Sequence, residues 1–105
     1  MDRKKDKIVC SFIKTVRKEY PSSKICLFGS RAKGTAKKNS DYDFIIVSKD
    51  FRKIDFSTRC SRIYFLKRNI PAPMDILCYT PEEFELKKNQ IGIIQEVFKE
   101  GIWFN

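Results

Sequence analysis

A chain of 105 residues has room for one domain and a modest core, so a large enclosed pocket built by this chain alone is not expected. At 42% hydrophobic and 33% charged residues, with no apolar run near the roughly 20 residues of a membrane span, it reads as globular, soluble and cytoplasmic, with no membrane association. The absence of histidine removes Ser–His and Cys–His nucleophile pairs, and the net charge of +9 invites an anionic partner.

The charge is unevenly placed. Residues 1–40 hold 12 Lys and Arg against 3 Asp and Glu, and residues 41–105 hold 10 of each. The opening MDRKKDK runs straight into a helical pattern, which predicts no signal peptide. Ile8, Val9, Phe12, Ile13, Val16 and Tyr20 recur at helical spacing and predict an amphipathic helix over about residues 4–20, stopped by Pro21. KICLFG reads as a short strand ending at Gly29, and SRAKG as a short helix after it. DYDFIIV is a second strand, apolar on both faces from Phe44 to Val47 and therefore interior to a sheet. FSTRCSRIYFLK, Phe56 to Lys67, is a helix with Asp55 as its cap. APMDILCY is a third strand. TPEEFE opens a helix with Thr80 as cap, Pro81 in the first turn and Glu83 completing a capping box. IGIIQEVFKEG is a last helix stopped by Gly101, and IWF is a candidate edge strand. The fold class is α/β (α+β): a small mixed sheet of three to four strands with flanking helices, forming a single domain over residues 1–105.

Cys10, Cys26, Cys60 and Cys78 form no C-x-x-C pair, which speaks against structural zinc. Each lies in an apolar-patterned segment and reads as a small buried hydrophobe, with pairing expected only in a hyperthermophile.

Chemistry must then run on carboxylates, lysines or metals. Asp41 and Asp43, two apart in a strand, share a face. Bare carboxylates so close repel, and a divalent cation relieves that. Mg2+ takes hard oxygen ligands, commonly one or two carboxylates together with substrate phosphates; Mn2+ suits the same ligands. Asp75 heads the third strand, a crossover helix away, so the second and third strands are expected to run parallel with their heads together. Three carboxylates at one sheet edge can hold two metals for an in-line phosphoryl displacement. The connection from Gly29 to Asp41 is too short for a parallel crossover, so the first and second strands should be antiparallel, placing Gly29 and Ser30 against the aspartates. Gly29 allows close backbone approach, the short helix can cradle an anion, and Ser30, Arg31 and Lys33 add to a triphosphate site.

Gly29-Ser30, ten residues, then Asp41-Tyr42-Asp43 matches the GS-x10-DxD pattern of the DNA polymerase beta-like nucleotidyltransferase superfamily. With MDILCYTPEEFE and KEGIWF, nearly the whole chain resembles the minimal nucleotidyltransferase (MNT) family, which carries antitoxins of HEPN/MNT pairs. The resemblance implies a polymerase beta-like palm. It gives Gly29 and Ser30 as the triphosphate-binding pair, Asp41 and Asp43 as metal ligands, and Asp75 as a third acid that ligates metal and can activate the acceptor hydroxyl. Arg31 and Lys33 fall at the basic positions after GS, where the family often has arginine in place of Lys33. The implied reaction is transfer of a nucleoside monophosphate from an NTP, with ATP as donor, two Mg2+ ions and release of pyrophosphate. No added acceptor domain is visible, which implies a separate acceptor: a tyrosine of a helical HEPN toxin.

Two other classes stand beside this reading. One is a non-catalytic NTP-binding module that neutralises its partner by contact. The other is nucleic-acid binding or 3′-end nucleotide addition, motivated by the basic first forty residues but lacking aromatics interleaved with them. Ile45, Val47, Leu77 and Tyr79 follow the aspartates on their strand faces, and part of that apolar face is expected to be open to a partner or to self-association. The tail helices, about 82–100, read as lid, interface or core, and Tyr42 and Tyr79 as base-stacking, core or surface aromatics.

Overall fold

Asp6 sets the start of the first helix in this computed structural model, which describes residues 6–90 and 93–104. Its backbone is extended, and its Oδ1 accepts from the N–H groups of Ile8 at 2.8 Å and Val9 at 3.2 Å. This satisfies two of the donors that open a helix. Helix α1 (Lys7–Glu19) therefore begins at Lys7; of the earlier start expected from periodicity, residues 4 and 5 lie outside the described residues. Val9, Phe12 and Val16 form its fully buried stripe. Cys10 is a correction: it is exposed, because it stands one residue past Val9 and falls off that stripe. Cys26 and Cys78 are buried as expected and Cys60 is half-buried, and none of these three is in a disulfide.

The strands are β1 (Lys24–Phe28), β2 (Tyr42–Val47), β3 (Met74–Tyr79) and β4 (Ile102–Phe104), in the spatial order β3-β2-β1-β4. β2 is interior, as its two apolar faces require. It runs antiparallel to β1 and parallel to β3, and β4 adds antiparallel to β1. The short helix α2 (Gly29–Lys33) lies between β1 and β2, and α3 (Phe56–Leu66) makes the crossover from β2 to β3. One sheet face packs on α1 and α3, where the Phe12 and Phe44 rings stack at 4.3 Å and Ile63, Ile76 and Phe51 close the layer.

The opposite face, which carries the aspartates, is covered by the chain's own tail: α4 (Pro81–Lys87) and α5 (Ile93–Glu100). Phe84, Trp103 and the fully buried Val97 join Cys26, Phe28, Ile45, Val47 and Tyr79 in a second cluster. The expectation of an open apolar face is thus overturned. α4 and α5 return over the strands and bury it, with Leu77 half-buried at the margin. The tail helices cover the core through Phe84 and Val97 and leave their outer sides, with Leu86, exposed.

β3 is the outer strand on its side, yet its edge is not bare. Tyr64 Oη donates to Met74 O (3.1 Å) and accepts from Ile76 N–H (3.2 Å). Cys60 Sγ donates to Ile76 O (3.7 Å), and Arg59 Nη1 to Cys78 O (3.3 Å). Three side chains of α3 thus take the place of a further strand.

Arg59 also ties this edge to α4. Its Nη1 lies 2.6 Å from Glu83 Oε1 and its Nε 2.6 Å from Ile54 O, and the side chain is only 7% exposed. Glu83 completes the capping box of α4: Thr80 Oγ1 accepts from Glu83 N–H, and Glu83 Oε1 accepts from Thr80 N–H. The Arg59 hydrogen bond, aided by Thr80 N–H, holds the Glu83 carboxyl below its usual value of 4.5. A carboxyl with a depressed folded value contributes stability above its unfolded value and loses it as pH falls through the folded one. Glu83→Gln should therefore melt below the parent at pH 7, and the gap should narrow as pH drops below 4.5; calorimetric melts from pH 7 to pH 3 measure it.

Candidate active site

The site is set by where three strands meet. β1 ends at Phe28, and the chain turns at Gly29, whose φ of +71° favours glycine. α2 follows and closes at Gly34, with φ +79° and its N–H donating to Ser30 O at 3.0 Å. Register places Phe28 opposite Asp43, and Asp43 opposite Asp75. Alternation puts Asp43 and Asp75 on the face that also bears Phe28, Cys26 and Ile45, while Asp41 lies just outside β2. Asp43 is half-buried; Asp41 and Asp75 are exposed.

Gly29 and Asp43 are in direct apposition. A Cβ on Gly29 would collide with the Asp43 carboxylate, its Oδ2 first. The Gly-Ser turn thus faces the aspartates, as the short connection requires. The donor set offered here is oxygen only, which suits Mg2+ or Mn2+ and not a soft metal. The register pairs Asp43 with Asp75, and Asp41 is held one position before β2 by the preceding loop. Among the described residues, no three His, Cys, Asp or Glu side chains are gathered closely enough to enclose an ion.

Arg31 turns toward that loop. Its Nε and Nη2 donate to Ser40 O at 3.2 and 2.8 Å, and Nη2 also to Lys38 O at 3.3 Å. Its guanidinium stacks over the Tyr42 ring, 4.3 Å from the centroid. Tyr42 in turn donates its hydroxyl to Asp6 Oδ2 at 2.9 Å. Burial, then the Asp6 hydrogen bond and charge, raise the Tyr42 phenol above its ordinary value, against a lowering by Arg31. A relay from the cap of α1 through Tyr42 and Arg31 therefore braces the residues on either side of Asp41. Lys33 points elsewhere, with its Nζ 3.0 Å from Glu100 Oε2 on α5. Tyr42 and Tyr79 are both buried, which makes them core rather than base-stacking surfaces.

Sequence spacing brought out the carboxylates and the glycine but not this brace. Asp6 carried a usable signal, an Asp immediately before the first apolar-periodic residues. Arg31 carried none that separates a loop clamp from a phosphate ligand.

The two roles separate by substitution. Arg31→Lys keeps the charge and loses the planar stack and the fork of donors. As a loop clamp, Arg31 should not be replaced by Lys: trypsin should cut at Lys37 and Lys38 several-fold faster in both Arg31→Lys and Arg31→Ala. Timed proteolysis with mass readout checks this, and a parent-like rate in Arg31→Lys would reduce the residue to its charge.

Comparison with known proteins bears on the fold and the family. The family model described as a nucleotidyltransferase domain matches residues 9–103. The chain is 34% identical over 91 residues, 82% of itself and 78% of the relative, to the probable protein adenylyltransferase MntA of Haemophilus influenzae. Among solved structures, a candidate nucleotidyltransferase of Sulfolobus solfataricus matches with a TM-score of 0.62 and 22% identity, over 93% of this chain and 77% of that one. A toxin–antitoxin complex with AMP-PNP matches with a TM-score of 0.63 and 24% identity, over 90% and 69%. A mutant of the MntA–HpeT toxin–antitoxin matches with a TM-score of 0.65 and 23% identity, over 92% and 71%. Mixed sheet, apposed glycine turn and carboxylates, and a family match spanning nearly every described residue converge: the chain belongs to the nucleotidyltransferase domain family, as an MntA-like member of its minimal branch.

Proposed function

We propose that this nucleotidyltransferase moves AMP from ATP to a tyrosine hydroxyl of a helical HEPN-type toxin, acting as its antitoxin. The observation that carries the reading is the register of Asp43 beside Asp75 with Gly29 pressed against the Asp43 carboxylate. The similarity to MntA and the likeness to toxin–antitoxin structures support the choice of acceptor.

Asp41, Asp43 and Asp75 are the residues that would hold two divalent ions, Mg2+ or Mn2+. When bound, such ions neutralise the triphosphate and the developing charge of an in-line displacement. Gly29 admits the triphosphate close to the backbone, and Ser30 presents its hydroxyl beside it. Arg31 adds positive charge to the turn and keeps Asp41 in place through Ser40, whereas Lys33 is drawn to Glu100 on α5. Asp75, exposed at the sheet margin, accepts the proton of the incoming hydroxyl at a carboxylate oxygen. The acceptor oxygen bonds to the α-phosphorus, the α–β bridging bond breaks, and pyrophosphate leaves.

The test is to purify the chain with its genomic neighbour and supply alpha-labelled ATP and Mg2+, beside an Asp41→Asn control. Label on the neighbour, a mass gain of whole AMP units and loss of both in the control are expected. Neutralisation of the neighbour that survives Asp41→Asn without label would favour contact-only binding.

A further inference from the structure

Asp75 stands between two edge groups that one hydroxyl joins. In β3, alternate residues turn their backbone groups to opposite sides. Pro73 O accepts from Tyr42 N–H and Tyr79 O from Ser48 N–H, so odd-numbered positions face β2. Met74 and Ile76, the neighbours of Asp75, therefore face outward. The Tyr64 hydroxyl spans them, donating to Met74 O at 3.1 Å and accepting from Ile76 N–H at 3.2 Å. Asp75 is held by β2 on one side and by one phenol on the other.

We infer that Tyr64 is a positioning residue for Asp75, fixing the head of β3 so that the Asp75 carboxylate stays in register with Asp43. This rests on the proposed role of Asp75 as a metal-holding carboxylate. Tyr64 reaches from the crossover helix α3 and acts only through the strand. Its neighbour one helical turn back, Cys60, seals the same edge one step further from Asp75, at Ile76 O. The pair allows edge sealing to be separated from placement of the carboxylate. Partners hydrogen-bonded directly to a metal ligand are worth about 10- to 100-fold in metal affinity when lost, and Tyr64, one step removed through the strand, belongs at the low end.

The experiment measures Mn2+ affinity by the paramagnetic resonance of free Mn2+, with a non-hydrolysable ATP analogue present, and amide exchange at Ile76. Tyr64→Phe removes one oxygen and keeps the ring. It should speed exchange of the Ile76 amide and weaken Mn2+ about tenfold. Cys60→Ala should leave Mn2+ affinity within about twofold, because it touches the edge beyond Asp75. Asp75→Asn should weaken Mn2+ at least as much as Tyr64→Phe. Weakening by Asp75→Asn but not by Tyr64→Phe would overturn the inference and leave Tyr64 as an edge seal. Equal weakening by Cys60→Ala would overturn it too, as a general effect of loosening β3. Unchanged binding in Asp75→Asn would instead remove the carboxylate assignment, and the inference with it.

Discussion

Asp43→Asn should lower the rate of nucleotidyl transfer by about 10³-fold or more, about 4 kcal/mol of transition-state stabilisation. Asp43 is the half-buried carboxylate of the three and the one with structure on both sides, Phe28 at the end of β1 with Gly29 after it and Asp75 from β3. Asn keeps its volume and its contact with the glycine turn. It removes one negative charge where oxygen ligands of full charge are needed to hold a divalent cation. The substitution is therefore chemical rather than structural. Label transfer from alpha-labelled ATP to the co-purified neighbour measures the rate, and a thermal melt checks that the fold is intact. A variant that keeps a tenth of parental activity would remove Asp43 from the proposed metal-holding set.

Gly29→Ala should damage stability and rate together. The backbone there is left-handed at φ +71°, which costs an L side chain about 1–2 kcal/mol. The added Cβ also meets the Asp43 carboxylate, so either that carboxylate swings away or the ends of β1 and β2 separate. A melting temperature lower by about 8 °C or more is expected for a domain of this size. Displacement of Asp43 by about an ångström should cost about 100-fold in rate. Gly34→Ala is the control, since Gly34 is also left-handed at φ +79° but exposed at the far end of α2. It should share the loss of stability and keep most of the activity. Equal loss of activity in both would mean that backbone strain, not the contact with Asp43, sets the rate.

The parts of the fold that sequence made legible rest on short-range rules. Connection lengths set antiparallel β1–β2 and parallel β2–β3, as found, whereas Asp41, expected to share a strand face with Asp43, lies one residue before β2. Those directions bring the heads of β2 and β3 together, and the register of the folded sheet then pairs Asp43 with Asp75. Asp55 and Thr80 announced their helices because caps are local chemistry. What escaped was settled at long range. The Tyr42–Asp6 bond joins residues 36 apart, and nothing near either residue encodes the other. Arg31 beside a loop and Arg31 beside a phosphate look alike in a linear chain. The closed second face depended on α4 and α5 folding back, which periodicity cannot direct. Cys10 shows the limit of the helical rule itself: an apolar-patterned segment holds residues on both sides of its stripe.

The side chains that α3 lays along β3 bear on how copies of the protein meet one another. An outer strand with unmatched backbone groups is a template on which another chain can grow. Here Tyr64, Cys60 and Arg59 occupy Met74, Ile76 and Cys78, so a stranger's strand would have to displace them. Among the described strands, the other margin of the sheet is β4, which is three residues long. That edge is short and Arg17 Nη2 donates to Phe104 O at 2.6 Å, so both margins of the sheet are blunted against strand addition. Copies of the protein should therefore meet through side chains and not through added strands, and concentrated or heated samples should be slow to seed fibres.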